Sequence, residues 1–159
     1  MVLQEGASVW LRDSLKPRSG LLDCSTNQSK NVYMELYSSF DFGPYQLRNR
    51  LVMAPMTRLR AGVEGVPGDL VAEYYAQRAS MGLIVTEGVF PDLAARTWLG
   101  QPGIETPEQI AGWRKIADVV HDRGGTIVMQ IMHAGRLSHP TINGTGRVVS
   151  ASATTAPGY

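Results

Sequence analysis

The chain has 159 residues, a formal net charge of +1, 43% hydrophobic residues and 18% charged residues. This composition indicates a folded core of one domain or part of one, and the near-zero charge excludes electrostatic capture of nucleic acid as the main function. The single cysteine, Cys24, excludes an internal disulfide framework and a multi-cysteine metal site, and no metal site is predicted.

Residues 1–33 differ from the rest of the chain, because their apolar residues are scattered and follow no period. We expect most of this segment to be disordered; an over-long reading frame, with Met34 as a second possible start, is the alternative. The segment lacks the basic stretch and apolar core of a secretory signal. No apolar run in the chain approaches the roughly 20 residues that span a bilayer. A cytoplasmic protein without a membrane partner is therefore expected.

The patterned region begins near Phe40 with signals for a turn and a first buried strand. Gly43-Pro44 predicts a turn, and the apolar run Leu51–Ala54 predicts a strand. Pro55 ends that strand, because proline has no N–H to donate to a central ladder.

A helix and a second buried strand are predicted next. Asp69 is the expected N-cap, since its carboxylate accepts an orphan backbone N–H. The predicted apolar stripe of this helix comprises Leu70, Tyr74 and residues 76–79. Gly82 is its predicted end, and the run Leu83–Thr86 predicts a buried strand that stops before Glu87-Gly88.

The second helix has the strongest local signals. Thr106 is a capping hydroxyl, Pro107 stands in the first turn, and Gln109 completes a capping box. Its apolar face is predicted to contain Ile110, Trp113, Ile116, Ala117 and Val120. Gly124-Gly125 is the predicted end, and Thr126–Ile131 is the predicted third strand.

The order strand, helix, strand, helix, strand favours a parallel α/β sheet, because each crossover is long enough to carry a helix. Three such strands leave exposed edges, and a complete β/α barrel needs about 250 residues. A complete flavodoxin-like sheet is the alternative fold. It is disfavoured because proline in the loop after the first strand lacks the N–H that would hold a phosphate.

Polar or small residues follow each predicted strand. Ligands of β/α proteins lie at the carboxyl ends of parallel strands, so three such groups indicate one shared pocket. The groups are Ala54–Arg58, Thr86–Gly88 and Gln130 with His133–Arg136. Ordinary strand-end capping is the alternative for any one of them.

Four strings of the sequence occur together in a distinctive order and spacing: LRNRLVMAPMTR, GLIVTEG, PGIETPEQIAGWRKIADVVHDRGG and QIMHAGRLSHP. They resemble the Old Yellow Enzyme family of flavin-dependent ene-reductases. The resemblance runs from about Phe40 to the last residues and corresponds to about the first half of a family member.

The resemblance implies the N-terminal part of a TIM (β/α)8 barrel, with about three parallel strands, two helices and an N-terminal hairpin, over residues 34–159. It also implies FMN as cofactor and NADPH or NADH as reductant. The flavin would pass a hydride to the β-carbon of an enone or similar activated alkene, and an acid would protonate the α-carbon. The protein orients and tunes the flavin.

The family's FMN contacts correspond to particular positions of this sequence. Residues 54–57 resemble the segment that runs beneath and beside the isoalloxazine ring, and the Thr57 hydroxyl would donate to the flavin O4. Gly88 matches a small residue whose backbone lies against the flavin, and the Gln130 amide matches one that pairs with the pyrimidine edge. The cofactor-binding residues implied are Ala54, Pro55, Met56, Thr57, Gly88 and Gln130.

Two further positions are implied to shape the substrate pocket. Met132 stands where many members have an aromatic residue, and Trp98 stands where an aromatic often lines the same pocket, with plain packing as an equal alternative. His133 is expected to be structural. For Arg136 two roles stay open, a positive charge near the flavin or a structural contact with a carboxylate.

The family's substrate-anchoring pair, tyrosine proton donor and late phosphate site have no counterparts in this sequence, so no catalytic residue is assigned. We therefore expect a truncated ene-reductase that is inactive alone and binds FMN weakly or not at all. The alternative is a non-catalytic half-barrel that associates with a complementary fragment or a second copy through its exposed edges.

Overall fold

The computed structural model describes residues 34–157, and the expected disorder of residues 1–33 lies outside this range. An antiparallel hairpin comes first, formed by β1 (Phe40–Phe42) and β2 (Tyr45–Leu47). Gly43 lies in the turn with φ +58°, a conformation that favours glycine. The predicted hairpin is confirmed.

The main sheet contains three parallel strands in the order β3 (Val52–Met53), β4 (Leu83–Val89) and β5 (Ile127–Ile131). The predicted parallel order is confirmed. Within the described range β3 and β5 are the edge strands, and the sheet does not close on itself. This is the arrangement expected of part of a β/α barrel.

The extent of β4 differs from the prediction. The strand continues through Glu87 and Gly88 to Val89, because Gly88 pairs with Gln130 and Val89 pairs with Ile131 of β5. A charged residue after an apolar run indicated a strand end, but here the charged side chain is buried and the ladder continues past it.

Helix α1 (Asp69–Ala76) corrects two predictions. Gly68 is its N-cap, and Asp69 is the first helical residue, whose carboxylate binds Lys115 Nζ at 2.6 Å instead of capping the helix. Of the predicted stripe, Ala76 and Ala79 are buried, but Leu70 is exposed and Tyr74 is half-buried. The buried face of the helix consists of Val71, Ala72, Tyr75 and Ala76. The chain leaves helical structure at Gln77, before Gly82.

Helix α2 (Pro107–Asp122) follows its sequence signals closely. The Thr106 hydroxyl accepts the N–H of Gln109, and the Gln109 side chain accepts the N–H of Thr106, which completes the capping box. Trp113, Ile116 and Val120 are buried as predicted, whereas Ile110 is exposed. A short helix, α3 (Pro140–Asn143), lies beyond β5.

The core lies between one face of the sheet and helices α1 and α2. Met53 and Ile84 of the sheet meet side chains from both helices, and Tyr75 and Trp113 lie with ring centroids 6.1 Å apart. The core contains Met53, Val71, Ala72, Tyr75, Ala79, Ile84, Val89, Trp113, Ile116 and Val120. Because side chains alternate along a strand, Val52 and Val128 lie on the other face, where both are exposed. None of the described helices is both long and apolar enough to cross a membrane.

A single hydroxyl ties α1 to β4, and its removal tests this contact. The Tyr75 hydroxyl accepts the backbone N–H of Glu87 at 2.9 Å, and Tyr75 is fully buried. We expect Tyr75→Phe to lower the free energy of unfolding by about 1–3 kcal/mol, because the buried N–H loses its acceptor.

The neighbouring Tyr74→Phe is the matched control, because the Tyr74 hydroxyl makes no hydrogen bond within residues 34–157. Urea denaturation of the 159-residue chain measures both variants. Equal losses of stability in the two would contradict the assigned contact.

Candidate functional site

The predicted ligand-binding residues lie at the carboxyl end of the parallel sheet. Residues 54–57 follow β3 and are exposed, while Gly88 and Gln130 are cross-strand partners in β4 and β5. The three segments are 31 or more positions apart in the sequence, and parallel pairing brings the strand ends to one edge.

Two polar side chains at this edge are available to a ligand. The Thr57 hydroxyl and the Gln130 side-chain amide make no hydrogen bond with any residue of the described range. A hydroxyl and an amide can each donate and accept. The pair suits the edge of a planar heterocycle that carries both carbonyl and N–H groups.

Gly88 is buried, and its closest neighbour is part of this chain. A Cβ built at Gly88 would lie 2.9 Å from the Met132 Sδ and 3.2 Å from the Met132 Cβ. The Met132 N–H donates to the carbonyl of Val89 at 2.9 Å, which holds this segment against β4. Packing against Met132 therefore accounts for the glycine without a ligand.

Glu87 is a buried carboxylate at the centre of the site, with 1% of its surface exposed. Its Oε2 accepts the backbone N–H groups of Arg58 at 2.8 Å and Leu59 at 3.2 Å, and its Oε1 has no hydrogen-bond partner in the described range. Burial raises the pKa of Glu87, against the lowering effect of the two N–H groups and the Arg58 guanidinium. The carboxylate ties the loop after β3 to β4.

A β-bulge places Thr86 beside Glu87. Val85 pairs with Val128 and Gly88 pairs with Gln130, so Thr86 and Glu87 together oppose one residue of β5. The Thr86 hydroxyl donates to the Glu87 carbonyl at 2.9 Å and accepts the N–H of Gln130 at 3.0 Å. This hydroxyl gives the N–H of Gln130 an acceptor where the bulge interrupts the ladder, and it fixes the backbone at Gln130.

The Gln101 side chain also fixes the backbone of β4, at Gly88. It is 1% exposed; its Nε2 donates to the Gly88 carbonyl at 3.1 Å, and its Oε1 accepts the N–H groups of Thr97 and Trp98 at 2.8 and 3.4 Å. The Trp98 side chain is 43% exposed. The backbone at Trp98 is thus tied to β4, while its ring remains accessible.

The remaining candidates, His133 and Arg136, make hydrogen bonds to other residues of this chain. His133 Nδ1 accepts the N–H of Gly135 at 2.9 Å, a contact internal to its own turn. Arg136 donates to the hydroxyls of Ser152 and Thr154. Residues 34–157 contain no group of three His, Cys, Asp or Glu side chains that could hold a metal ion.

Four residues support the site from within the protein. Sequence reasoning placed Thr86 and Glu87 in a strand-end ligand group without predicting their supporting contacts, and it missed Tyr75 and Gln101. Each has a polar side chain that is almost fully buried, which the sequence signals only weakly as a polar position within or beside an apolar run. They are Tyr75, Thr86, Glu87 and Gln101.

Comparison with known proteins places this geometry in a family. Residues 35–158 match the NADH:flavin oxidoreductase / NADH oxidase family. 12-Oxophytodienoate reductase 7 of Oryza sativa subsp. japonica is 40% identical over 121 residues, which are 76% of this chain and 30% of that protein. A probable flavin mononucleotide-dependent alkene reductase of Leishmania infantum is 42% identical over 118 residues, 74% of this chain and 32% of that protein.

The solved structures agree. The old yellow enzyme homologue from Zymomonas mobilis superposes with a TM-score of 0.74 at 41% identity, over 78% of this chain and 35% of that chain. The chain thus spans about a third of the length of these relatives. It belongs to the NADH:flavin oxidoreductase / NADH oxidase family, the family of the old yellow enzymes, and its sheet and helices form the N-terminal part of that β/α barrel.

Proposed function

We propose that this chain supplies one part of the FMN pocket of an NAD(P)H-dependent oxidoreductase that reduces activated C=C bonds, such as those of enones. The observation that carries the proposal is the convergence of residues 54–57, Gly88 and Gln130 at one sheet edge, in a member of this family. Bound FMN would supply the hydride transfer.

The chain's own residues would bind and orient the flavin. Thr57 would donate its hydroxyl to the flavin O4, and the amide of Gln130 would pair with the pyrimidine edge. Ala54, Pro55 and Met56 would provide the apolar surface beside the ring. Gly88 would keep β4 close to the pocket.

Met132 and Trp98 are proposed to border the substrate side. Met132 packs on Gly88, and the Trp98 backbone is held by Gln101, while the Trp98 ring is partly exposed. A flexible thioether and an accessible aromatic ring suit a small apolar substrate.

The proposal is tested by giving this chain the rest of a barrel. We expect the 159-residue chain to hold FMN weakly or not at all, because the remaining contacts belong to later strands of the family's barrel. A chimera in which residues 35–157 replace the matching part of the Zymomonas mobilis homologue should retain the visible flavin absorption after desalting and reduce 2-cyclohexenone with NAD(P)H.

A chimera that folds and stays colourless would refute the proposed pocket. Robust reduction of 2-cyclohexenone by the 159-residue chain itself would instead contradict the expectation that later strands are required.

Thr57 gives a finer prediction about the bound flavin. Its proposed hydrogen bond to O4 strengthens as the reduced ring gains negative charge, and one such bond contributes about 1 kcal/mol. Thr57→Val in the flavin-loaded chimera should therefore lower the two-electron reduction potential, by at most about 20 mV, the value for a bond made to the reduced ring alone.

Thr126→Val is the control, because Thr126 precedes β5 at the opposite end of the sheet. Potentials are measured by dye-coupled reduction. An unchanged potential in Thr57→Val would contradict a hydrogen bond from the Thr57 hydroxyl to the flavin.

A non-catalytic half-barrel that pairs with a second chain is the other candidate. Three exposed apolar residues on the edge strands favour it: Val52, Val128 and Ile131, at 53%, 41% and 55% exposure. Obligate pairing is contradicted if the chain elutes from a sizing column as a 17.3 kDa monomer.

A further inference from the structure

We propose that Glu87 is a positioning residue, which shapes residues 54–57 for the flavin by holding the backbone immediately after them. The anchoring contact stands on geometry alone, while its consequence for cofactor binding rests on the proposed function. The Glu87 side chain does not need to touch the flavin, since its carboxylate acts through the loop.

The first support is the way in which the carboxylate is satisfied. Two successive backbone N–H groups, from Arg58 and Leu59, converge on one oxygen of Glu87. Consecutive N–H groups that point to one place form a concave anion site, and hydrogen bonds to an ionised acceptor are stronger than neutral ones. The buried carboxylate supplies the anion from within the protein.

The second support is that no cationic side chain pairs with this carboxylate in the described range. The Arg58 guanidinium lies over the Tyr74 ring, 4.5 Å from its centroid, and makes no ion pair with Glu87. The carboxylate therefore binds the loop backbone rather than the side chain of Arg58. Such a contact fixes the path of the chain.

The third support is the conformation of the loop at the anchor. Leu59 has φ +56°, a left-handed value that a non-glycine residue adopts only when its surroundings impose it. On the other side, Gly100 approaches so closely that a Cβ there would lie 2.7 Å from the Leu59 carbonyl oxygen. Leu59 is held between Glu87 and Gly100, three residues beyond Met56 and two beyond Thr57.

Glu87 is itself held rigidly, as an anchor must be. The Tyr75 hydroxyl accepts its N–H from the helix side, and the Thr86 hydroxyl donates to its carbonyl. The same Thr86 hydroxyl binds the N–H of Gln130. One buried pair of residues thus connects the loop after β3 to the end of β5.

Amide hydrogen exchange in the 159-residue chain tests the anchor without any flavin. In Glu87→Ala, we expect the Arg58 and Leu59 amides to exchange about 10- to 100-fold faster than in the wild type, because each loses its acceptor. The Ile84 amide, which donates to the Thr126 carbonyl at 2.8 Å, reports whether the sheet is intact. Unchanged exchange at Arg58 and Leu59, with Ile84 still protected, would overturn the proposal.

Glu87→Gln provides a second test that does not depend on the alanine variant folding. Glutamine keeps an oxygen acceptor, so most of the protection at Arg58 and Leu59 should return. In the wild type the two amide resonances should share a pH transition above 4.5, the ordinary Glu value, because burial raises the pKa of Glu87. The nearby Tyr75 hydroxyl does not interfere, because burial raises its pKa well above the ordinary tyrosine value.

This shared transition should vanish in Glu87→Gln and persist in Glu73→Gln, since Glu73 is an exposed carboxylate of α1. Its absence in the wild type, or its persistence in Glu87→Gln, would exclude a contact between Glu87 and these amides.

The consequence for the cofactor is measured in the chimera. Glu87→Ala should release FMN faster than Glu73→Ala does. If the parent chimera binds no FMN, the proposed function fails and the anchor stands on the exchange data. If Glu87→Ala frees the loop but leaves FMN release unchanged, the positioning role is wrong while the proposed function stands.

Discussion

The arrangement of the sheet edge depends on the burial of one carboxylate. Glu87 is 1% exposed and lies in β4, whose other residues are mostly apolar. A carboxylate that loses its hydration there must find hydrogen-bond donors. The donors are the N–H groups of Arg58 and Leu59, which belong to the loop after β3. The burial of the carboxylate and the conformation of the loop therefore depend on each other.

The bulge in β4 makes this arrangement compatible with a continuous sheet. An extra residue in one strand leaves ladder groups without their regular partners. Here hydroxyl groups replace those partners: Thr86 accepts the N–H of Gln130, and Tyr75 accepts the N–H of Glu87. Strand pairing then resumes at Gly88. The N–H groups of Glu87 and Gln130 are thus both hydrogen-bonded at the bulge. The sheet gains a fixed polar cluster at its carboxyl end.

Local signals predicted the elements whose stability is local. The capping box at Thr106, the strand order and the hairpin follow from short-range chemistry and from crossover length. At the start of α1 the predicted stripe was wrong by one residue, because an eight-residue helix has too few turns to distinguish Leu70 from Val71 by period alone. The preceding Gly68 caps the helix without a side chain, so Asp69 remains free to bind Lys115.

The candidate residues were predicted from strand ends and family resemblance, but the hydrogen bonds that connect their supporting residues were not predicted. Glu87 binds backbone groups 28 and 29 residues away, and backbone N–H groups are present at nearly every position. No complementary side chain marks the partner. The same fact implies that side-chain changes at Arg58 or Leu59 preserve both donors unless they introduce proline, whereas a change at Glu87 removes the acceptor. The loop after β3 therefore donates hydrogen bonds to a residue far from it in the sequence, Glu87 of β4, and its other close contact at Leu59 comes from Gly100.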